Sequence, residues 1–299
     1  FATGGPTDMI AREISKALGE KLKKPFVIEN KLGAFGTIAP AHVAKAAPDG
    51  YTLLFHEIGA TFGIQPAVLK TLSYDVKKDF LPIAFAAKGP IFLFVSSDRP
   101  YKNIGDLVQA ARQNPGKLDF GSAGGAGQLP THIGPELLMM KSGTQFTHIP
   151  YKGSVQALTA LTSGDVQMLF LDPAPVITQM KAGKAQGLAV TSAKRWSLLP
   201  DVPTMTESGV PGYDFASWIA LFTPAGTPPD IIAKVQREVA RIVELPAVRS
   251  KLETLGIDAG GRALGIAPAD NGPAALSKVI EVERERFAQV IRAANIKPE

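Results

Sequence analysis

Short apolar runs alternate along the chain with segments whose apolar residues recur every three to four positions. The first pattern predicts β-strands and the second predicts amphipathic α-helices. The predicted strands are 26–28, 51–55, 91–95, 146–149, 166–171, 188–190 and 218–222. Helical spacing is clearest from Met9 to Leu18 and from Ile231 to Ile242. The alternation predicts an α/β fold built mostly on parallel strands.

Polar residues and glycines mark several boundaries of these elements. Asn103 stands three residues before Asp106, and Thr204 stands three residues before Glu207. This is the spacing of a capping box, in which a side chain and a backbone amide at the start of a helix bond reciprocally. Gly164 follows an apolar helical segment and predicts its C-terminal end.

Two proline-rich stretches, 96–100 and 223–229, bracket a central block of the chain. Such stretches are typical of crossings between domains. They predict one lobe made of residues 1–97 and 222–299 and a second lobe, 98–221, inserted into it. The alternative is that both stretches are surface loops of one large sheet.

Composition limits the class of protein. A chain of 299 residues with 45% hydrophobic and 20% charged residues buries a large core, which excludes intrinsic disorder. Cysteine is absent, which excludes a thiolate nucleophile, a cysteine metal site and disulfides. The longest useful apolar run, 91–95, has the length of a strand and is too short to span a bilayer.

The net charge of +5 favours an anionic partner, but Lys and Arg are spread along the whole chain. No basic stripe interleaved with aromatic residues is visible, so we expect no nucleic-acid binding. Small anions remain possible ligands. The chain opens at Phe1 without an initiator Met, and we interpret it as a fragment from which a signal peptide could have been removed.

The sequence TGGPTD at 3–8 stands immediately before the first amphipathic helix. Pro6 suits the first helical position, and the amides of the first turn have no partner within the helix. Backbone amides at the positive end of a helix dipole predict a seat for an anion, with Thr3 and Thr7 as further donors. The alternative is a strand-to-helix turn that Asp8 caps.

A glycine-rich loop, 121–131, lies between a short apolar run and the helix that starts near His132. Such loops turn several amides toward one ligand. The spacing of a dinucleotide fingerprint is not present, and no acidic residue follows at the distance of a ribose partner. A third strand-to-helix junction is at 150–154, and parallel strands bring such junctions together.

Catalytic constellations are hard to assemble from this chain. No Gly-x-Ser-x-Gly elbow is present, and His132 and Glu136 lack further ligands at metal-binding spacing. We therefore predict no catalytic residue and no metal site. Asp172, at the end of the run 166–171, either caps the next helix or points into a ligand cleft.

Several motifs occur together in one order along the chain. They are GGPTD at 4–8, APDGYTLL at 47–54, YD at 74–75, KDF at 78–80, HIPYKG at 148–153, LAVTS at 188–192, LPDVPT at 199–204 and PAGTP at 224–228. This set resembles the Bug family, the periplasmic solute receptors of tripartite tricarboxylate transporters. The resemblance runs from Phe1 to Ala294.

The resemblance implies an α/β fold of the type II periplasmic-binding-protein class, with two lobes and a ligand cleft between them. It implies a periplasmic protein that captures a small organic carboxylate and delivers it to a membrane permease. It also implies a monomer without a cofactor and without enzymatic activity. The alternatives are a ligand-sensing module for a signalling partner and an NAD(P)-dependent oxidoreductase.

By the same resemblance, one ligand carboxylate is held between the two glycine-containing loops. The residues expected to bind it are Thr3, Gly4, Gly5, Thr7 and Asp8 in the first loop and Ser122, Ala123, Gly124, Gly127 and Thr131 in the second. Side chains that line the cleft, for which Tyr151, Asp172 and Trp218 are candidates, reach the rest of the ligand together with ordered waters.

The chain departs from the family pattern at Thr3, where the family usually has Pro, in a longer loop before His132, and at His56-Glu57-Ile58, where small polar residues are expected. Glu57 inside a ligand cleft would disfavour a second ligand carboxylate and favour an ammonium or hydroxyl group. We expect instead that Glu57 points outward as a surface charge.

Overall fold

The structure is a computed structural model that describes residues 3–4, 6–124, 129–196, 199–213, 216–254, 257–260 and 266–296. These residues divide into two compact units. The first holds the described residues up to Lys88 and residues 218–286, and the second holds residues 89–217 and 287–296.

The first unit carries a four-stranded sheet in the order β1-β8-β2-β9. Its strands are β1 (Leu54–Glu57), β2 (Phe80–Pro90), β8 (Ala216–Pro224) and β9 (Asp258–Ala259). Its helices are α1 (Pro6–Leu22), α2 (Ile38–Val43), α3 (Gln65–Val68), α8 (Pro229–Ile242), α9 (Pro246–Glu253) and the start of α10 (Pro273–Ala293). A π-helix at Gly59–Ile64 and short 3₁₀ turns at Ala34–Gly36 and Pro268–Asp270 complete it.

The core of the first unit forms where the apolar faces of α1 and α8 pack on this sheet. Ile10, Ile14 and Leu18 of α1 are buried with Val235 and Val239 of α8. Their three- and four-residue spacing is the helical pattern seen in the sequence, so both predicted helices are confirmed. Packing of α1 on the sheet fixes the position of the loop that precedes it.

The second unit carries a five-stranded sheet in the order β5-β4-β6-β3-β7. Its strands are β3 (Phe92–Ser96), β4 (Asp119–Ser122), β5 (Thr147–Pro150), β6 (Met168–Leu171) and β7 (Ala185–Val190). Its helices are α4 (Ile104–Gln113), α5 (Pro130–Ser142), α6 (Ser154–Ser163) and α7 (Pro173–Lys181). Both faces of β3 and β6 are buried.

The expectation of mostly parallel strands is wrong. Strand β4 is parallel to β5 and β6, but β3 is antiparallel to both β6 and β7. In the first unit β1 and β8 are antiparallel, as are β2 and β9. Strand β3 follows β2 of the other sheet after Ile91 alone, so no crossover helix of its own sheet precedes it, and the parallel direction that such a crossover imposes does not apply to β3.

The strand predicted at 26–28 is also wrong, because residues 25–33 form no regular element and Val27 is largely exposed. Conversely, the 11-residue strand β2 gave no clear signal. Its centre is rich in buried alanine, which has low strand propensity, and Pro82 interrupts the apolar run.

The predicted boundary signals are largely confirmed. The side chain of Asn103 accepts a hydrogen bond from the amide of Asp106 at 3.0 Å, and Gly164 ends α6 in the left-handed conformation. Thr204 and Glu207 form both bonds of a capping box, at 2.7 and 3.0 Å. That box closes a turn and not a helix, because residues 205–209 do not continue into helical structure.

Candidate functional site

The loop before α1 is organised by Asp8, a residue of the first helical turn that is only 4% exposed. Asp8 Oδ2 accepts hydrogen bonds from the Gly4 amide and from Arg12 Nε, both at 2.9 Å. Asp8 Oδ1 accepts one from Asn30 Nδ2 at 2.8 Å. Gly4 has a φ of +80°, which favours glycine, and no described atom lies within 4 Å of an added Cβ. Gly5 lies outside the described residues.

These contacts determine the charge of Asp8. Burial alone would raise the pKa of this carboxyl, but the bonds from Arg12, Gly4 and Asn30 lower it to about 2. Asp8 is therefore an ionised carboxylate paired with Arg12, and the Gly4 amide is already bonded to it. The amides of Thr7 and Asp8 lie in the first turn, where an α-helix provides no carbonyl partner for an N–H group. They are therefore the donors suited to an anion.

A cavity of about 230 Å³ opens beside this loop within the first unit. Thr7 and Asp8 line it together with residues 27–31 and residues 51–56. The exposed side chains of Val27 and Tyr51 are at its rim. The loop thus borders a concave surface with both apolar and polar walls.

In the second unit, the glycine-rich loop leaves β4 at Ser122, which is buried. Ser122 Oγ donates to the carbonyl of Gly124 at 2.8 Å and lies 2.6 Å from His148 Nε2. The Ala123 amide donates to Thr131 Oγ1 at 3.3 Å. The hydroxyls of Ser122 and Thr131, which the family resemblance implied as ligand contacts, thus bond to the backbone of residues 123 and 124 of the loop. Gly127 lies outside the described residues.

Ser122 and His148 are close enough to suggest a nucleophile and its base, but the geometry does not activate the serine. The Ser122 hydroxyl donates its proton to the Gly124 carbonyl, whereas a nucleophile must donate it to the histidine. The ring of His148 also packs against that of His132, and an orienting carboxylate at its other nitrogen is not seen among the described contacts.

Tyr151 and Asp172 stand at the ends of β5 and β6, and both are half-buried. Burial, followed by the charges of Asp165 and Asp119, raises the pKa of Tyr151. Asp172 is the N-cap residue of α7, yet its side chain makes no capping bond to the described part of that helix. Burial raises the pKa of Asp172 to about 6. A carboxyl group that does not cap its helix suits a ligand hydrogen-bond donor.

Trp218 is part of the core of the first unit, with 3% of its surface exposed. Its ring meets Phe85 edge to face at 5.6 Å, and Lys88 Nζ lies 4.5 Å from its centroid. This geometry is a buried cation–π contact. The sequence does not single out Lys88, because a single lysine between Ala87 and Gly89 carries no signal.

The expectation that Glu57 is a surface charge is wrong, because Glu57 is 5% exposed at the end of β1. Its carboxylate accepts bonds from the amides of Gly59 at 3.0 Å, Trp218 at 3.4 Å and Ala60. Burial nevertheless raises the pKa of Glu57 to about 7. The π-helix starts immediately after β1, and its first amides turn the carboxylate inward.

His132, near the start of α5, makes a hydrogen bond to a side chain of the same helix. His132 Nε2 bonds Glu136 Oε1 at 3.0 Å, and the rings of His132 and His148 pack against each other, tilted by 31°, with centroids 3.9 Å apart. The four-residue spacing of His132 and Glu136 was visible in the sequence, but the role of His148 depends on tertiary packing.

Two negative findings apply to the described part of the chain only. Within it, no three His, Asp or Glu side chains are grouped to hold a metal ion. None of the helices there has both the length and the apolar character needed to cross a membrane.

Residues 10–293 match the sequence pattern of the family described as "Tripartite tricarboxylate transporter family receptor". The protein BugT of Bordetella pertussis is 30% identical over 297 residues, which cover 99% of this chain and 88% of BugT.

Solved structures extend the similarity to the fold. Rpa4515 of R. palustris with adipate is 35% identical with a TM-score of 0.88, covering all of this chain and 96% of that one. MatC (Rpa3494) of Rhodopseudomonas palustris with bound malate is 32% identical with a TM-score of 0.83, covering 97% and 96%. These neighbours confirm the expected α/β fold of two-lobed periplasmic binding proteins.

Proposed function

The chain belongs to the tripartite tricarboxylate transporter receptor family, and from this premise we propose that it is a periplasmic receptor for a small organic carboxylate. The observation that carries the proposal is the ligand of the two similar structures: adipate and malate are both carboxylates. We further propose that the receptor passes its ligand to a membrane permease and has no enzymatic activity.

Two loops are proposed to recognise carboxylate groups, each through its backbone. In the first unit this is the loop 3–8, where Asp8 holds Gly4 in place and leaves the first-turn amides for the anion. In the second unit it is the loop 122–131, where Ser122 and Thr131 hold the backbone from inside. Helix-terminal amides bind an anion without needing an arginine. Arg12 beside this loop is already bonded to Asp8, which agrees with recognition by the amides.

Tyr151 and Asp172 are proposed to contact the remainder of the ligand. Asp172 is a half-buried carboxyl whose pKa burial raises to about 6. It is still mostly ionised at pH 7, so a ligand hydroxyl or amino group beside it would gain a charged hydrogen-bond acceptor. Trp218 is proposed to determine the shape of the binding site, because Phe85 and Lys88 pack against its ring and fix its position.

The proposal is tested by isothermal titration calorimetry with malate, adipate and citrate. The protein is first unfolded and refolded to remove any ligand carried over from purification. The uncharged diamides malamide and adipamide are the matched control ligands. We expect saturable binding of at least one acid and none of its amide. Equal binding of acid and amide, or no binding of any acid in a wider panel, contradicts the proposal.

A pair of glycine variants tests the first loop. Gly4→Val and Gly183→Val each place a side chain at a left-handed position where no described atom lies within 4 Å of the new Cβ. Both carry a similar backbone strain of about 1–2 kcal/mol. Only Gly4→Val is expected to abolish binding of the acid, and equal binding by the two variants would exclude loop 3–8 from the site.

A further inference from the structure

Three aromatic rings pack together beneath the glycine-rich loop of the second unit. His148 stacks on Phe120 with 4.9 Å between centroids and packs against His132, tilted by 31°, with 3.9 Å between centroids. His132 is in turn fixed by Glu136, whose carboxylate lies 3.0 Å from Nε2. The His148 ring therefore packs against two neighbouring rings, which limits its orientation.

The hydrogen-bond partners assign the proton on His148. The Gly124 carbonyl only accepts, so the Ser122 hydroxyl must donate to it across 2.8 Å. The same oxygen lies 2.6 Å from His148 Nε2. A bare nitrogen lone pair at that distance would repel the serine oxygen, and only Nε2–H forms a bond with it.

We propose that His148 is the positioning residue of the first part of the glycine-rich loop, from Ser122 to Gly124. Its Nε2–H donates to Ser122 Oγ, which directs the serine proton to Gly124 and fixes the carbonyl there. His132 and Phe120 hold the imidazole in the plane that this bond needs. His148 thus acts on the ligand through Ser122 and the loop backbone, without contacting the ligand.

The inference rests on the proposed function, because a fixed loop affects ligand binding only if that loop binds the carboxylate. Preorganised donors bind more tightly because no ordering cost is paid on binding. The geometry itself is a property of the ligand-free protein. It can therefore be tested without knowing the ligand.

The first experiment is ¹⁵N NMR of the protein labelled at its four histidines, with His148 assigned through His148→Gln. We expect His148 at pH 7 as the neutral tautomer with the proton on Nε2. A proton on Nδ1 alone would overturn the proposal, because Nε2 could then not donate to Ser122.

The second experiment measures hydrogen exchange of the Ala123 amide, which is bonded to Thr131 inside the loop. His148→Phe keeps an aromatic ring without a donor, and His148→Gln retains an N–H at the corresponding reach. We expect exchange to accelerate about fivefold in His148→Phe. His148→Gln should restore most of the protection. The exposed His42→Phe, in the first unit, is the control and should change nothing.

A double-mutant cycle with Ser122→Ala separates positioning from general packing. If His148 acts through Ser122, His148→Phe adds no further acceleration in the Ser122→Ala background. Additive effects, or equal exchange in His148→Phe and His148→Gln, would overturn the proposal. If these results hold but no acid binds, the proposed function fails while the positioning role stands.

Discussion

The amide of Gly4 donates a hydrogen bond to the carboxylate of Asp8 at 2.9 Å across the turn that begins α1. The helix thus shapes its own preceding loop, because Asp8 belongs to its first turn. Arg12 and Asn30 hold the same carboxylate. Disturbing Asp8 should therefore affect both stability and the geometry of the candidate site.

Asp8→Asn should reduce the free energy of unfolding by about 2 kcal/mol at pH 7. The pKa of Asp8 falls from 3.8 to about 2 on folding, and each unit corresponds to about 1.4 kcal/mol. Because the folded pKa is lowered, this stability is present above pH 4 and is lost as pH falls from about 4 to 2. Urea unfolding at pH 7 and pH 3 measures it. Asp98→Asn, at an exposed side chain, is the control, and an equal loss there would contradict the role of Asp8.

Glu57→Gln should flatten the dependence of stability on pH between about 4.5 and 7. Burial raises the pKa of Glu57 to about 7, so the ionised form destabilises the folded state above that pH. The cost is relieved as pH falls through 7, and stability changes by at most about 1.4 kcal/mol per pH unit.

Urea unfolding of both proteins at pH 5.5 and pH 8 checks this prediction for Glu57. The free energy of unfolding of wild type minus that of Glu57→Gln should be larger at pH 5.5 than at pH 8. A difference that is the same at both values would show that Glu57 keeps an ordinary pKa.

Lys88→Met should destabilise the first unit by about 1–2 kcal/mol, because it removes a buried cation from the face of Trp218. Lys88→Arg retains a cation and should retain most of the stability. Urea unfolding, monitored by tryptophan fluorescence, measures the free energy of unfolding of both variants. Equal destabilisation by Met and Arg would indicate that chain packing, and not the ring contact, stabilises this position.

Gly134→Ala should destabilise the second unit by about 1–3 kcal/mol, because its new Cβ would lie 2.8 Å from Phe170 Cδ1 in a closed core. Gly153→Ala is the matched control, since no described atom lies within 4 Å of its added Cβ. Thermal unfolding compares the two. Similar melting temperatures would mean that α5 moves away from β6 at little cost.

Elements with a long apolar repeat were predictable, as α1 and α8 illustrate. Strand β2 was not, because buried alanines and Pro82 give no strand signal until a partner strand is known. The expectation that Glu57 is a surface charge fails for a related reason. Its strand is short, and only the amides that follow it, together with Trp218, turn its carboxylate inward.

The candidate site was predictable as two loops, but not in the roles of their side chains. Asp8 and Arg12 are four residues apart on one helix, so their pairing was visible in the sequence. The bond between Ser122 and His148 joins residues 26 positions apart, and it depends on the parallel pairing of β4 with β5. Side-chain donors to a ligand and side chains that hold a loop look the same in a sequence.

The central claim is carboxylate recognition, and a thermal-shift screen of the refolded protein tests it most directly. The ligands are mono-, di- and tricarboxylates, acidic amino acids and NAD(P). An acid at about 100 times its dissociation constant adds about 2.7 kcal/mol, which raises the melting temperature by several degrees. The account predicts that at least one organic acid does so and that the dinucleotides do not. A shift with NAD(P) alone would contradict it and favour an oxidoreductase.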